Sequence, residues 1–224
     1  MERRRALLHS LHLRGAEMVT SPWPIIHGER EALVADLQSM TKERWATQSL
    51  CADWSVRDVL AHMTATAKMT PGRFFAKLVG SGFRFNTMNQ QGVAAERGDG
   101  ADDVLIAFTA QLNATTHPPG PLEAMVGEIV VHGEDVRRPL GITHKYSDDA
   151  LRSTADFYRR SNLLIGAKRR AEGLTLRASD VDWIAGTGPE VAGPLASIIL
   201  AITGRRAGLA DLSGEGLAAL TQHL

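Results

Sequence analysis

Gly127-Glu128-Ile129-Val130-Val131-His132-Gly133-Glu134-Asp135 is the stretch on which the reading of this chain turns. Glu128 and His132 stand four residues apart and Asp135 three further on, so on an α-helix the three lie one above another on a single face. Leu122, Met125, Ile129 and Val136 fall on or beside that stripe, which points the row inward or into a pocket. Ionisable groups facing a core are costly unless they are paired or hold a metal. A carboxylate and an imidazole one turn apart supply two corners of a divalent-metal site. The spacing alone is weak evidence. His27/Glu31, Asp58/His62 and His144/Asp148 share it, and most such pairs are exposed helix pairs worth about 0.2–0.5 kcal/mol. The apolar setting sets Glu128 and His132 apart, and a metal there needs a third ligand.

At 224 residues the chain is long enough for one large domain or two small ones with a real core. Lys plus Arg equals Asp plus Glu at 25 each, so nothing draws it to nucleic acid or to an anionic membrane. A content of 44% hydrophobic and 22% charged residues is that of a soluble globular protein. Cys51 is the single cysteine, which excludes an intramolecular disulfide and a multi-cysteine metal site. The start, Met1 to Arg5, is basic, but His9, His12 and Arg14 interrupt the apolar residues behind it, which excludes a signal peptide. Residues 1–21 are expected to be a flexible N-terminal extension, with Met18 as the alternative true start. The longest apolar run, Pro194 to Thr203, is too short to span a bilayer. The expectation is a cytoplasmic protein, monomer or homodimer, with no nucleic-acid or membrane partner.

Apolar periodicity through Ile26, Leu33, Leu37, Met40 and Trp45 predicts a first helix from His27 to about Thr47. Ser55 reads as the N-cap of a second, with Asp58 in the reciprocal position of a capping box and Val56, Val59, Leu60 and Met63 as its inner face. By patterning, His62 at the edge of that face reads as a core or solvated-edge histidine rather than a ligand. Thr70-Pro71-Gly72 ends or kinks this helix. Arg73 to Gly82 reads as a short helix, and Phe83 to Gly100 as a polar loop or irregular helix over the mouth of a bundle. Asp102 and Asp103 open a third helix (Val104, Leu105, Phe108, Leu112), and Pro118 to Pro121 turn the chain into the fourth, which carries the organising stretch. A fifth helix is predicted from Asp148 to about Lys168, including Leu163 and Leu164. Alternation in Leu174–Ala178 and Val181–Ile184, with Gly186, Gly188 and Gly193 between turns, predicts short strands. An apolar helix over Leu195–Ile202 and a last short helix close the chain.

Asp53-Trp54-Ser55-Val56-Arg57-Asp58-Val59-Leu60-Ala61-His62 resembles the helix-two signature of DinB-like metal-binding four-helix bundles, and more closely that of the mycothiol-dependent maleylpyruvate isomerase family. The stretch from Glu128 to Asp135 resembles that family's helix-four motif. Gly173 to Trp183 and Leu200-Ala-Ile-Thr-Gly204-Arg205 resemble its C-terminal domain. The resemblance covers residues 22–224. It implies a mainly α protein, a DinB-like four-helix bundle over 22–145, followed by a connecting helix and a small α/β C-terminal domain over 146–224.

The resemblance also implies the metal ligands His62, Glu128 and His132, and an active-site arginine at Arg205, with Arg206 beside it as the alternative. Two histidines and a glutamate form the three-ligand set of catalytic zinc, with a fourth position left for water or substrate; nickel or iron fit the same ligands. The implied activity uses mycothiol as thiol cosubstrate. Its thiolate attacks a small electrophile, giving an isomerase of the maleylpyruvate type or an S-transferase. The alternatives are a bundle braced by a structural metal and a ligand-binding module without catalysis. Arg205 holds a substrate carboxylate or else answers a helix dipole. Asp135 orients His132 or, with the awkward spacing along one helix, is a surface acid. Cys51, with no basic neighbour in sequence, reads as a small apolar residue.

Overall fold

A computed structural model describes residues 21–162 and 165–224. Its helices start where local chemistry supplies what the first backbone N–H groups lack. α1 (Trp23–Leu37) opens behind Pro22 with Pro24 in its first turn, where a missing N–H costs nothing. α2 (Val56–Ala67) starts at Ser55. The Ser55 Oγ accepts from the Asp58 N–H at 3.3 Å, and Asp58 Oδ2 accepts from the Ser55 N–H at 3.0 Å. That is the capping box read from the sequence. α3 (Pro71–Gly80) starts on Thr70 and Pro71, and α4 (Phe85–Glu96) follows it. α5 (Ala101–Thr109) begins where Asp103 Oδ2 accepts from the Gly100 and Asp99 N–H groups at 2.8 and 3.0 Å. α6 (Glu123–Arg137) carries the organising stretch. α7 (Asp148–Arg160) has Asp148 and Asp149 in its first turn and Arg159 and Arg160 in its last, each on the side the helix dipole favours.

A short α8 (Ala167–Arg170) leads to three strands, β1 (Thr175–Ala178), β2 (Ile184–Gly186) and β3 (Glu190–Gly193). Their order is β2-β1-β3, with β1 antiparallel to β2 and parallel to β3. α9 (Leu195–Ile202), a 3-10 turn (Arg206–Asp211) and α10 (Leu217–Gln222) finish the chain.

Two apolar clusters meet on α6. One joins Leu33 and Leu37 of α1, Val56 and Leu60 of α2, Phe108 of α5, and Ile129 and Val136 of α6. The other joins Val126 and Val130 of α6 to Tyr158 of α7, Leu176 of β1 and Ile198 of α9. A helix that is apolar on most of its circumference must be buried on most of it, and α6 is. Its polar residues therefore cannot all escape to solvent. α1, α2, α5 and α6 form the expected bundle, with α3 and α4 inserted as a pair between α2 and α5. No described helix is long and apolar enough to cross a membrane.

The elements depart from the sequence reading at their ends. The first helix stops at Leu37, and Trp45 reaches the core from a separate 3-10 turn (Lys42–Ala46), because Thr41 is extended. Phe83 to Gly100 is mostly the helix α4, entered through left-handed Gly82 and Phe83. The third helix ends at Thr109 and tightens into i→i+3 bonds at Gln111 and Leu112. The fifth ends at Arg160, where Ser161 turns extended and left-handed Gly166 starts α8; Leu163 and Leu164 lie outside the described residues, as do residues 1–20. Val181 to Trp183 form a turn into β2 rather than a strand.

Candidate metal centre

The capping box fixes the start of α2, and from there the helical repeat carries His62 to the face that meets α6. The His62 ring lies 4.8 Å from the Trp54 ring and 5.0 Å, edge to face, from the His132 ring, centroid to centroid. On α6, glycine allows close packing behind this face: a Cβ at Gly127 would stand 2.8 Å from the Tyr158 ring, and one at Gly133 would stand 2.8 Å from the Tyr146 hydroxyl. Glu128, one turn before His132, has Thr66, Arg30 and His132 as its polar neighbours. Its Oε1 is buried without a hydrogen-bond partner.

At the other end of the row, Asp135 is fully buried and its oxygens are crowded with donors. Oδ2 accepts from His132 Nδ1 at 2.8 Å, from Arg205 Nη2 at 2.8 Å and from the Cys51 thiol at 3.1 Å. Oδ1 accepts from Arg205 Nε at 3.0 Å. The connection carrying Cys51 is laid along α6 by the Leu50 N–H, which donates to the Asp135 carbonyl at 3.2 Å. Arg205 Nη2 also donates to Cys51 Sγ at 3.6 Å, and Nη1 to the Thr203 carbonyl at 2.9 Å. A cavity of about 400 Å³ opens here, walled by the Leu50–Trp54 connection, by Asn86, Asn89 and Gln90 of α4, and by Thr203–Arg205.

These surroundings set the charge states. Burial, helped by the neighbouring His132, pushes the His62 imidazole down to about 3, against the pull of Asp135. Burial opposes charge on His132 as well, but its hydrogen bonds with Asp135 and Cys51 outweigh that and raise it to about 10. Burial works against the Asp135 carboxylate too, yet the His132 and Arg205 donors hold it well below the usual carboxylate range. Burial raises Glu128, with His132 and Arg30 pulling the other way. One imidazole is thus neutral, one carboxylate is poorly solvated, and the second imidazole holds its proton against an ionised acid.

The family described as mycothiol maleylpyruvate isomerase N-terminal domain matches residues 26–137, half of the chain. The chain belongs to that family. Two solved structures share its fold, DinB-like bundle included. The crystal structure of the mycothiol-dependent maleylpyruvate isomerase is 15% identical with a TM-score of 0.61, and that of a histidine-to-alanine mutant is 14% identical with a TM-score of 0.59. Each comparison covers 86% of this chain and 91% of the other. No curated protein sequence matches.

Within this family fold, the structure brings His62 and His132 together from two helices and sets Glu128 beside His132. In donor chemistry His62, Glu128 and His132 fit a zinc-type ion, but among the described residues they are not a group whose ligand atoms all lie within 4.8 Å of one another. Two imidazoles and a carboxylate make its usual open set, Glu128 Oε1 is a buried acceptor with nothing to accept from, and Asp135 on Nδ1 leaves Nε2 as the nitrogen of His132 that could face an ion. A carboxylate behind a ligating histidine is the common arrangement at metal sites. Arg205, not the exposed Arg206, reaches the site, but its fork is turned onto Asp135.

Two residues stand differently from their sequence reading. Asp135 is not a surface acid: α6 is covered on both faces, and three residues along a helix suffice for Oδ2 to reach Nδ1. Cys51 is not a plain apolar residue. Its polar neighbours come from α6 and from the turn after α9, 84 and 154 residues away in the chain, so inspection of its sequence neighbours finds none of them. Among the described residues, the group whose ligand atoms all lie within 4.8 Å of one another is Cys51, His132 and Asp135.

Proposed function

We propose that this protein is a divalent-metal-dependent, thiol-using enzyme, with His62, Glu128 and His132 holding the ion and mycothiol as cosubstrate. The observation that carries the reading is the meeting of the two imidazoles, 5.0 Å apart, next to a buried carboxylate oxygen that has no partner. Bound zinc would supply the Lewis acidity that deprotonates a thiol at neutral pH.

The chain's own groups do the remaining work. His62 is kept neutral, as a ligand must be, whereas His132 holds its proton through Asp135 and Cys51 and gives one up on binding the ion. Asp135 fixes the ring and tautomer of His132, and Arg205 fixes Asp135 in turn. Arg205 also puts a cation on the cavity wall, where a substrate carboxylate is drawn while the guanidinium fork stays on Asp135. The amides of Asn86, Asn89 and Gln90 offer uncharged donors and acceptors across from it. In this reading the bundle, 22–145, supplies the metal ligands, and the C-terminal part, 146–224, supplies the arginine. A cis-enedioyl acid such as maleylpyruvate would become its trans isomer by thiol addition, rotation about the new single bond and elimination. A different electrophile would make the same site an S-transferase.

Zinc-loaded protein incubated with mycothiol and maleylpyruvate tests this. Thiol-dependent turnover that disappears in His62→Ala supports the reading. A wild-type protein that binds zinc, shows no thermal shift with mycothiol and turns over no electrophile would place the metal in a bracing role.

A further inference from the structure

Cys51, His132 and Asp135 form a cluster that the set His62, Glu128 and His132 leaves out, apart from the shared imidazole. From its geometry we infer that Cys51 Sγ, His132 Nδ1 and Asp135 Oδ2 make a second metal position, selective for soft divalent ions and alternative to the first.

The spacing is nearly that of a coordination shell. Sγ and Nδ1 lie 3.1 and 2.8 Å from Oδ2. Ligand atoms bonded to one tetrahedral ion at ~2.0–2.3 Å sit roughly 3.3–3.8 Å apart, so the cluster opens by about half an ångström to admit one. The thiol proton and the Nδ1 proton both point at Oδ2, and the ion takes the place of both. The S–H and N–H protons leave to solvent, the thiolate, the neutral imidazole nitrogen and the carboxylate become ligands, and no oxidation occurs.

Charge allows it. A thiolate and a carboxylate against a divalent ion and the Arg205 guanidinium leave one net positive charge, the same as one carboxylate against that ion at the first position. Entry is open, because Cys51 and Arg205 both line the cavity. The thiolate makes the position soft, and soft ions prefer it over two imidazoles and a carboxylate. One neutral imidazole serves one position at a time, since its Nδ1 and Nε2 cannot both be ligands while either carries the ring proton.

Cadmium alone is the probe. Titrated into the metal-free full-length protein, it is expected to raise an ultraviolet sulfur-to-cadmium charge-transfer band that saturates at one ion per chain. Cys51→Ser should abolish that band, Asp135→Asn should weaken cadmium binding at least tenfold, and His62→Ala should leave both band and affinity in place. No band in the wild type overturns the inference, and so does a band that vanishes in His62→Ala. Far-ultraviolet circular dichroism checks that each variant is folded, with His62→Gln replacing His62→Ala if the latter is not. No thiol substrate or turnover enters this experiment, so its failure leaves the thiol-dependent reading standing, and failure of that reading leaves this one standing.

Discussion

Glu128 and Asp135 lie two turns apart on one buried helix and stand in opposite situations. Asp135 has more donors than a carboxylate usually finds: an imidazole, the Nε and Nη2 of a guanidinium and a thiol. Glu128 has a buried oxygen with none. A buried acid with its donors in place stabilises the fold around it, whereas a buried acid lacking them costs stability until a cation arrives. The first end of the row has its donors in place, and the second, although Thr66 reaches it, keeps one oxygen without a donor.

Breaking the Asp135 end should have the largest effect. Asp135→Ala leaves the Arg205 charge and the His132 Nδ1 proton buried without their acceptor, and is expected to cost about 3–5 kcal/mol in urea denaturation of the metal-free protein. A cost below ~1 kcal/mol would mean that solvent replaces Asp135 easily. Next comes the packing that brings α6 against α7. Gly127→Ala puts a Cβ at 2.8 Å from the Tyr158 ring, an overpacking expected to cost about 1–3 kcal/mol by the same measurement. An unchanged midpoint would show that Tyr158 moves aside freely.

The Glu128 end should respond with the opposite sign. Burial raises the Glu128 pKa above its ordinary value, so its contribution is most favourable below the usual carboxylate range and is lost as pH rises through the raised folded value. Metal-free Glu128→Gln should therefore be as stable as the wild type or more so at neutral pH, and its stability should depend less on pH across that window. A loss of stability at neutral pH would contradict this account of the orphaned oxygen. If the proposed site binds zinc, the ranking should reverse: at a hundredfold excess over Kd zinc should stabilise the wild type by about 2.7 kcal/mol and Glu128→Gln much less, which thermal melts with and without a chelator check. The smallest effect is expected for Cys51→Ser, which keeps a donor for Oδ2 and should shift stability by less than about 1 kcal/mol.

Much of this was legible in the residues themselves. The α6 row is visible because helical spacing and apolar neighbours coincide there, and the capping box at Ser55 and Asp58 is visible because it is local. His62 is different. Its periodicity matches an ordinary edge histidine, and only the resemblance around Asp53–His62 marks it as a ligand. Cys51 and Arg205 could not be paired from sequence, because a backbone bond from Leu50 to α6 and the turn after α9 bring them together across most of the chain. Apolar periodicity overruns the helix ends where the chain switches geometry without a proline, at Thr41, at Thr109 and at Ser161. The polar composition of Phe83 to Gly100 hid α4, whose buried residues are only Met88, Gly92 and Val93.

Zinc affinity, measured by competition with a chromophoric chelator on tag-free wild type and on His62→Ala, tests the central claim most directly. If His62, Glu128 and His132 share one ion, the substitution should weaken zinc by more than ~100-fold, beyond the ~10–100-fold expected for losing an outer partner of a ligand. An affinity unchanged in His62→Ala would contradict it.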